Sequence, residues 1–134
     1  IAVPAPGLEA KVAWKIEEKL PDVASPLATG KRLFLATSGG IITCRDAASG
    51  KLLWEHEYND GFYASPILAG DRVYALDREG NMHVFKDSDT YQPLGESPLG
   101  EAASATPAVL ENRVYIRGDK SIFCVQDKTQ AAAP

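Results

Sequence analysis

The chain has 134 residues, 45% of them hydrophobic and 24% charged, with a formal net charge of -4 at pH 7. That balance is the balance of a folded domain with a buried core, and its sign argues against nucleic acid or an anionic membrane surface as the main partner. No stretch reaches the roughly 20 apolar residues that span a bilayer, and no charged-then-apolar start resembles a signal peptide. Residues 1–10, with Ala2-Val3-Pro4-Ala5-Pro6-Gly7, are expected to form an N-terminal arm or linker. An initial Ile1 in place of Met fits a processed protein or a piece of a longer one.

Residues 11–18 predict a lone outer strand. From Ala24-Ser25-Pro26-Leu27 the chain offers four short strand segments: one after the Ser-Pro, one from Arg32, one from Gly40 and one through Trp54. They are rich in β-branched, aromatic and aliphatic residues. Their boundaries are Gly30-Lys31, Gly39-Gly40 and Ser49-Gly50, where glycine supplies the positive φ of tight turns. The same succession fills residues 64–97, and its first three members return over residues 104–126. Nothing in the chain keeps a 3.6-residue periodicity with helix caps. Residues 127–134 read as a tail.

Self-similarity at a fixed period decides the architecture. Lys11-Val12-Ala13-Trp14 returns forty residues later as Lys51-Leu52-Leu53-Trp54. Ala24-Ser25-Pro26-Leu27 returns as Ala64-Ser65-Pro66-Ile67 and again as Ala105-Thr106-Pro107-Ala108. Gly30-Lys31-Arg32-Leu33-Phe34 matches Gly70-Asp71-Arg72-Val73-Tyr74 and then Glu111-Asn112-Arg113-Val114-Tyr115. Four antiparallel strands recurring every forty or so residues make the blade of a β-propeller, here strands A to D from the inside outward. The expected fold is all-β, about three blades over residues 11–126, open or closed by oligomerisation. The count is one strand, then four, four and three, so the break falls between C and D of the last blade.

Cys44-Arg45-Asp46-Ala47-Ala48-Ser49-Gly50-Lys51-Leu52-Leu53-Trp54 resembles the tryptophan-docking motif of PQQ-like repeats, Ala-x-Asp-x-x-Thr-Gly-Lys-x-x-Trp. Asp46, Gly50, Lys51 and Trp54 fit it directly, Ser49 stands for Thr, and Trp14 keeps the end of a second copy. In the next unit Leu94 takes the tryptophan position and the Gly-Lys pair is gone. The resemblance implies structural, blade-docking roles for Asp46, Ser49, Gly50, Lys51, Trp54 and Trp14. Ser49-Gly50 would make the C–D turn and Asp46 would accept turn amides. Trp54 would lie between blades with its N–H on a carbonyl.

The chemistry is sparse. The PQQ-like family includes dehydrogenases that hold pyrroloquinoline quinone and Ca²⁺, but their adjacent cysteine pair is missing, since Cys44 and Cys124 stand eighty residues apart. Both cysteines read as small buried hydrophobes. Asp77-Arg78-Glu79 reads as a solvated hairpin tip, and His56 and His83 lie on different strands without ligand spacing. Asp87-Ser88-Asp89 lacks the Gly and distal Glu of a calcium loop. Ser38, Ser65 and Ser104 have no nucleophile-elbow context. The expectation is no catalytic residue, no metal site and no cofactor.

Non-catalytic members of the family resemble the lipoprotein component of the outer-membrane β-barrel assembly machinery. The resemblance implies a bacterial, periplasmic or extracytoplasmic interaction scaffold with protein partners. A fragment of a quinone-dependent dehydrogenase is the alternative. Three blades with open faces are expected to pack on further blades of a longer parent or on a second copy. In the latter case residues 11–18 of each copy would complete the other's last blade in a six-bladed ring.

Overall fold

Gly40 and Gly80 occupy equivalent turns, with φ of +91° and +89°. This left-handed conformation costs glycine little, and at each turn it sends the chain back antiparallel to the strand just made. The computed structural model describes residues 6, 7 and 9–127. The expected arm (1–10) and tail (127–134) therefore lie largely outside the described residues.

Among the described residues eleven strands follow one another: β1 (Leu27–Ala28), β2 (Arg32–Ala36), β3 (Ile41–Asp46), β4 (Leu52–Glu57), β5 (Ile67–Ala69), β6 (Arg72–Leu76), β7 (Asn81–Lys86), β8 (Pro93–Pro98), β9 (Ala108–Leu110), β10 (Arg113–Arg117) and β11 (Ile122–Gln126). They form three antiparallel sheets, ordered β1-β2-β3-β4, β5-β6-β7-β8 and β11-β10-β9. The molecule is an all-β run of propeller blades, two of four strands and one of three. Among the described residues no helix is long and apolar enough to cross a membrane.

Strand alternation explains why the blades stack. On β6, Val73 and Ala75 join a core with Phe34, Ile42, Cys44, Trp54 and Phe85, while Leu76 joins a second core with Ala64, Met82, Ala103 and Ile116. The period of two sends alternate side chains to opposite faces, so the middle blade is buried on both. Phe34 and Phe85 are fully buried and meet at 5.8 Å between ring centroids. Burial of a side chain of this size contributes about 1.5–3 kcal/mol. Polar clasps repeat along the rim: Ser25 N donates to Ser65 Oγ at 2.8 Å, and Ser65 N to Thr106 Oγ1 at 2.9 Å.

Two expectations need correction. Residues 11–18 form no strand; a strand needs a hydrogen-bonded neighbour, and here the segment runs along the first blade with no ladder partner. Leu94 is not the counterpart of Trp54. Cys44 pairs with Trp54, whereas the equivalent Val84 pairs with Gly95. The β7–β8 turn carries one residue more than the β3–β4 turn, which shifts the register and leaves the smallest residue where the ring would be.

Candidate functional site

The β3–β4 turn is built by its own side chains. Asp46 Oδ1 accepts the Ser49 amide at 2.8 Å and the Ser49 hydroxyl at 2.7 Å. The Ser49 hydroxyl bond and then the amide hold the Asp46 carboxyl below the usual aspartate range. Ser49 Oγ in turn accepts Lys51 N at 3.3 Å, and the Lys51 carbonyl accepts Asp46 N at 2.9 Å. Gly50 takes a φ of +75° directly beneath the Trp14 ring, where a Cβ would come within 2.7 Å of Cε3.

Trp14 Nε1 donates to the Ala47 carbonyl at 3.1 Å, and Trp54 Nε1 donates to the Ser88 carbonyl at 3.0 Å. Each indole thus reaches a carbonyl in the third-to-fourth-strand turn of a blade that follows it in the chain. Arg32 adds a second tie across the first two blades. It meets Asp87 at 3.1 Å and Asp89 at 2.8 Å, the pair that the sequence could only exclude as a calcium loop. Cys44 is buried and its thiol is pushed up to about 12, chiefly by desolvation. Cys124, expected to be buried, is exposed, because β11 is an edge strand.

Beside this interface lies a cleft of about 450 Å³ between the outer strands of the first two blades. Asp77 belongs to it and is 1% exposed, so the solvated-tip reading fails for this residue. The carboxylate has turned inward. Oδ1 accepts Asn81 N at 2.8 Å, and Oδ2 lies 2.9 Å from His83 Nε2. The other ring nitrogen of His83, Nδ1, faces Glu96 Oε2 at 3.3 Å. Arg78 does stay outward, with its guanidinium 4.3 Å over the Tyr63 ring.

The aromatic wall of the cleft is continuous. His56 stacks on Tyr91 at 4.1 Å, Tyr58 meets His83 at 4.4 Å, and the hydroxyls of Tyr58 and Tyr91 lie 3.0 Å apart. Burial, and then the Tyr91 hydroxyl, raise the Tyr58 phenol well above the ordinary tyrosine range. Sequence reasoning separated His56 from His83 because they stand on β4 and β7. The forty-residue period, which sets the first blade beside the second, was the signal that could have placed both in one cleft.

The fold finds counterparts among known proteins. BamB from Moraxella catarrhalis superposes with a TM-score of 0.74 at 21% identity, covering 87% of this chain and 37% of that one. The chain therefore spans little more than a third of that protein's length. A computationally designed protein, Ika4, gives a TM-score of 0.59 at 10% identity, covering 88% of this chain and 99% of that chain. A europium-containing methanol dehydrogenase matches over 56% of this chain and 15% of its own, at 21% identity and a TM-score of 0.49, too loose a superposition to bear on function. No curated protein sequence matches. The family model described as outer membrane protein assembly factor BamB matches residues 9–92, well over half of the sequence, and the chain belongs to that family.

Proposed function

We propose that this chain is a non-catalytic propeller segment that works as a scaffold for protein assembly in an extracytoplasmic, bacterial setting. The observation that carries the reading is its two unlike ends. Among the described residues β11 pairs with β10 alone, and Ile122 is 71% and Val125 50% exposed. At the other end Trp14 is held on the first blade as Trp54 is held on the second. Asp46, Ser49, Gly50, Lys51, Trp54 and Trp14 act in this reading as blade-docking residues.

The occupant of both ends is a further blade, from a longer parent or from a second copy whose residues 11–18 pair with β11. Light scattering on the 134-residue chain tests this: association is expected, and a monodisperse monomer with cooperative unfolding would overturn it. The membership in the BamB family supports the scaffold reading over a quinone dehydrogenase. Titration with pyrroloquinoline quinone and Ca²⁺ separates the two. Saturable binding with dye-linked oxidation would defeat the scaffold proposal.

A further inference from the structure

We propose that the groove between the second and third blades is a docking socket for a tryptophan side chain supplied by a partner protein. This rests on the scaffold reading above and names what the partner brings beside the covering blade.

The two blade interfaces are built on the same rows of residues, and in the second interface one row is incomplete. Residues paired directly across an antiparallel ladder project to one face. Across the first blade such a row runs Phe34, Cys44, Trp54, and across the second it runs Tyr74, Val84, Gly95. In the first interface the indole completes the row. Trp54 lies 5.9 Å from Phe34 of its own blade and 5.5 Å from Phe85 of the next. Phe85 pairs with Val73, and the corresponding pair of the third blade is Val125 with Val114. The second interface thus has the floor and the far wall of a tryptophan site, with glycine where the tryptophan would start.

The neighbouring side chains do not close the space. Leu76 and Val84 are bulkier than Ala36 and Cys44, which hold the same places in the first blade, but Val125 is smaller than Phe85. A groove of about 360 Å³ remains, walled by Tyr74, Met82 and Val84 on one side and Val114, Ile116 and Val125 on the other, and none of its described lining residues is charged. Phe85 is fully buried against Trp54, whereas Val125 is 50% exposed. Two observations identify where the guest comes from. The sequence holds two tryptophans, and both are already docked, Trp14 on the Ala47 carbonyl and Trp54 on that of Ser88. An indole for the groove must therefore come from another protein. The groove also continues the edge at which the scaffold reading seats a protein, since Phe123 and Val125 of its wall lie on β11. Tryptophan is a common anchor in desolvated interface pockets of this kind.

The test is a methyl-resolved NMR titration of the full chain with Nα-acetyl-tryptophan amide, with Nα-acetyl-leucine amide as the apolar control without a ring. Saturable shifts are expected at Met82, Val84, Ile116 and Val125 with a millimolar Kd, and little change at Ile42 of the first interface. Gly95→Trp should fill the groove from within and abolish the binding. Val125→Asp, at a half-exposed position, should weaken it about tenfold by setting a charge against the indole. Shifts that do not saturate, equal affinity for the leucine amide, or undiminished binding in either folded variant would each overturn the proposal. So would shifts of these methyls that grow with protein concentration in the free chain, which would give the groove to a second copy. Nuclear Overhauser contacts to them from residues 128–134 would give it to the chain's own end and overturn it equally. Assembly is read separately by light scattering, so a negative titration leaves the scaffold reading intact.

Discussion

Trp54 donates its indole N–H to the Ser88 carbonyl at 3.0 Å, so one side chain of the first blade closes against the β7–β8 turn of the second. The ring is 8% exposed and meets Phe85 edge-on at 5.5 Å, with Tyr91 on it at 5.1 Å. Trp54→Ala is expected to cost about 3–5 kcal/mol, the range for emptying an aromatic from a core. Trp54→Phe keeps most of the apolar area and loses the bond to Ser88, at roughly 1 kcal/mol. Urea titrations of both variants check this: the midpoint should fall in that order with little change of slope.

Gly50 answers to Trp14 in a different way. Its φ of +75° is strained for any residue with a Cβ, and that atom would lie 2.7 Å from the Trp14 ring. Gly50→Ala is therefore expected to lose roughly 1–2 kcal/mol in backbone strain alone. It should also push the indole off the Ala47 carbonyl. In a Trp54→Phe background Trp14 is the remaining tryptophan of the two in the chain, so its emission reports the outcome. A red shift in Gly50→Ala is expected, and an unmoved spectrum would refute the contact.

The blades were legible because their information is local and repeated. A strand of alternating faces, a glycine turn and a Ser-Pro rim each leave a mark in consecutive residues, and the period of forty aligns them. What escaped depends on one-residue accounting or on distance. The extra residue in the β7–β8 turn sits among Asp87 to Gln92, where no hydrophobic pattern registers it, so Gly95 was hidden behind Leu94. Asp77 looked like a polar tip because its partner His83 is six residues on and across a hairpin. Residues 11–18 have the composition of a strand, but composition does not supply the neighbour that makes one.

Gly95 gives that register an experimental handle. A Cβ placed there would meet nothing within 4 Å. The adjacent groove of about 360 Å³ is lined by Tyr74, Leu76, Met82, Val84, Ile116 and Phe123 among others. Gly95→Val should stabilise by about 0.5–1 kcal/mol through reduced chain entropy in a strand, with some added burial against the groove. Leu94→Val, on a side chain already 52% exposed, should change little. Thermal melts of the two variants distinguish them, and equal shifts would contradict the register.

Cys44 predicts how stability responds to alkali. In the folded chain burial holds its thiol up at about 12, against an ordinary value of 9.0. Between those values the unfolded chain has released the proton and the folded chain has not, so the unfolded state binds fewer protons and stability falls as pH rises. Tyr58, raised above its ordinary value of 10.0, acts with the same sign on the upper part of that window. The acid limb has the opposite sense. Asp22, Asp46 and Glu101 are all lowered, each first by a hydrogen bond to its acceptor oxygens, and their contribution is lost as pH falls through the folded values. Urea midpoints measured from pH 9 upward should decline in the native chain. In Cys44→Ala the decline should be shallower at its start, where tyrosine has yet to ionise. At neutral pH iodoacetamide should label the exposed Cys124 and leave Cys44 unmodified until the chain unfolds. Equal labelling of both cysteines in the folded protein would contradict the placement of Cys44 in the interface between the blades.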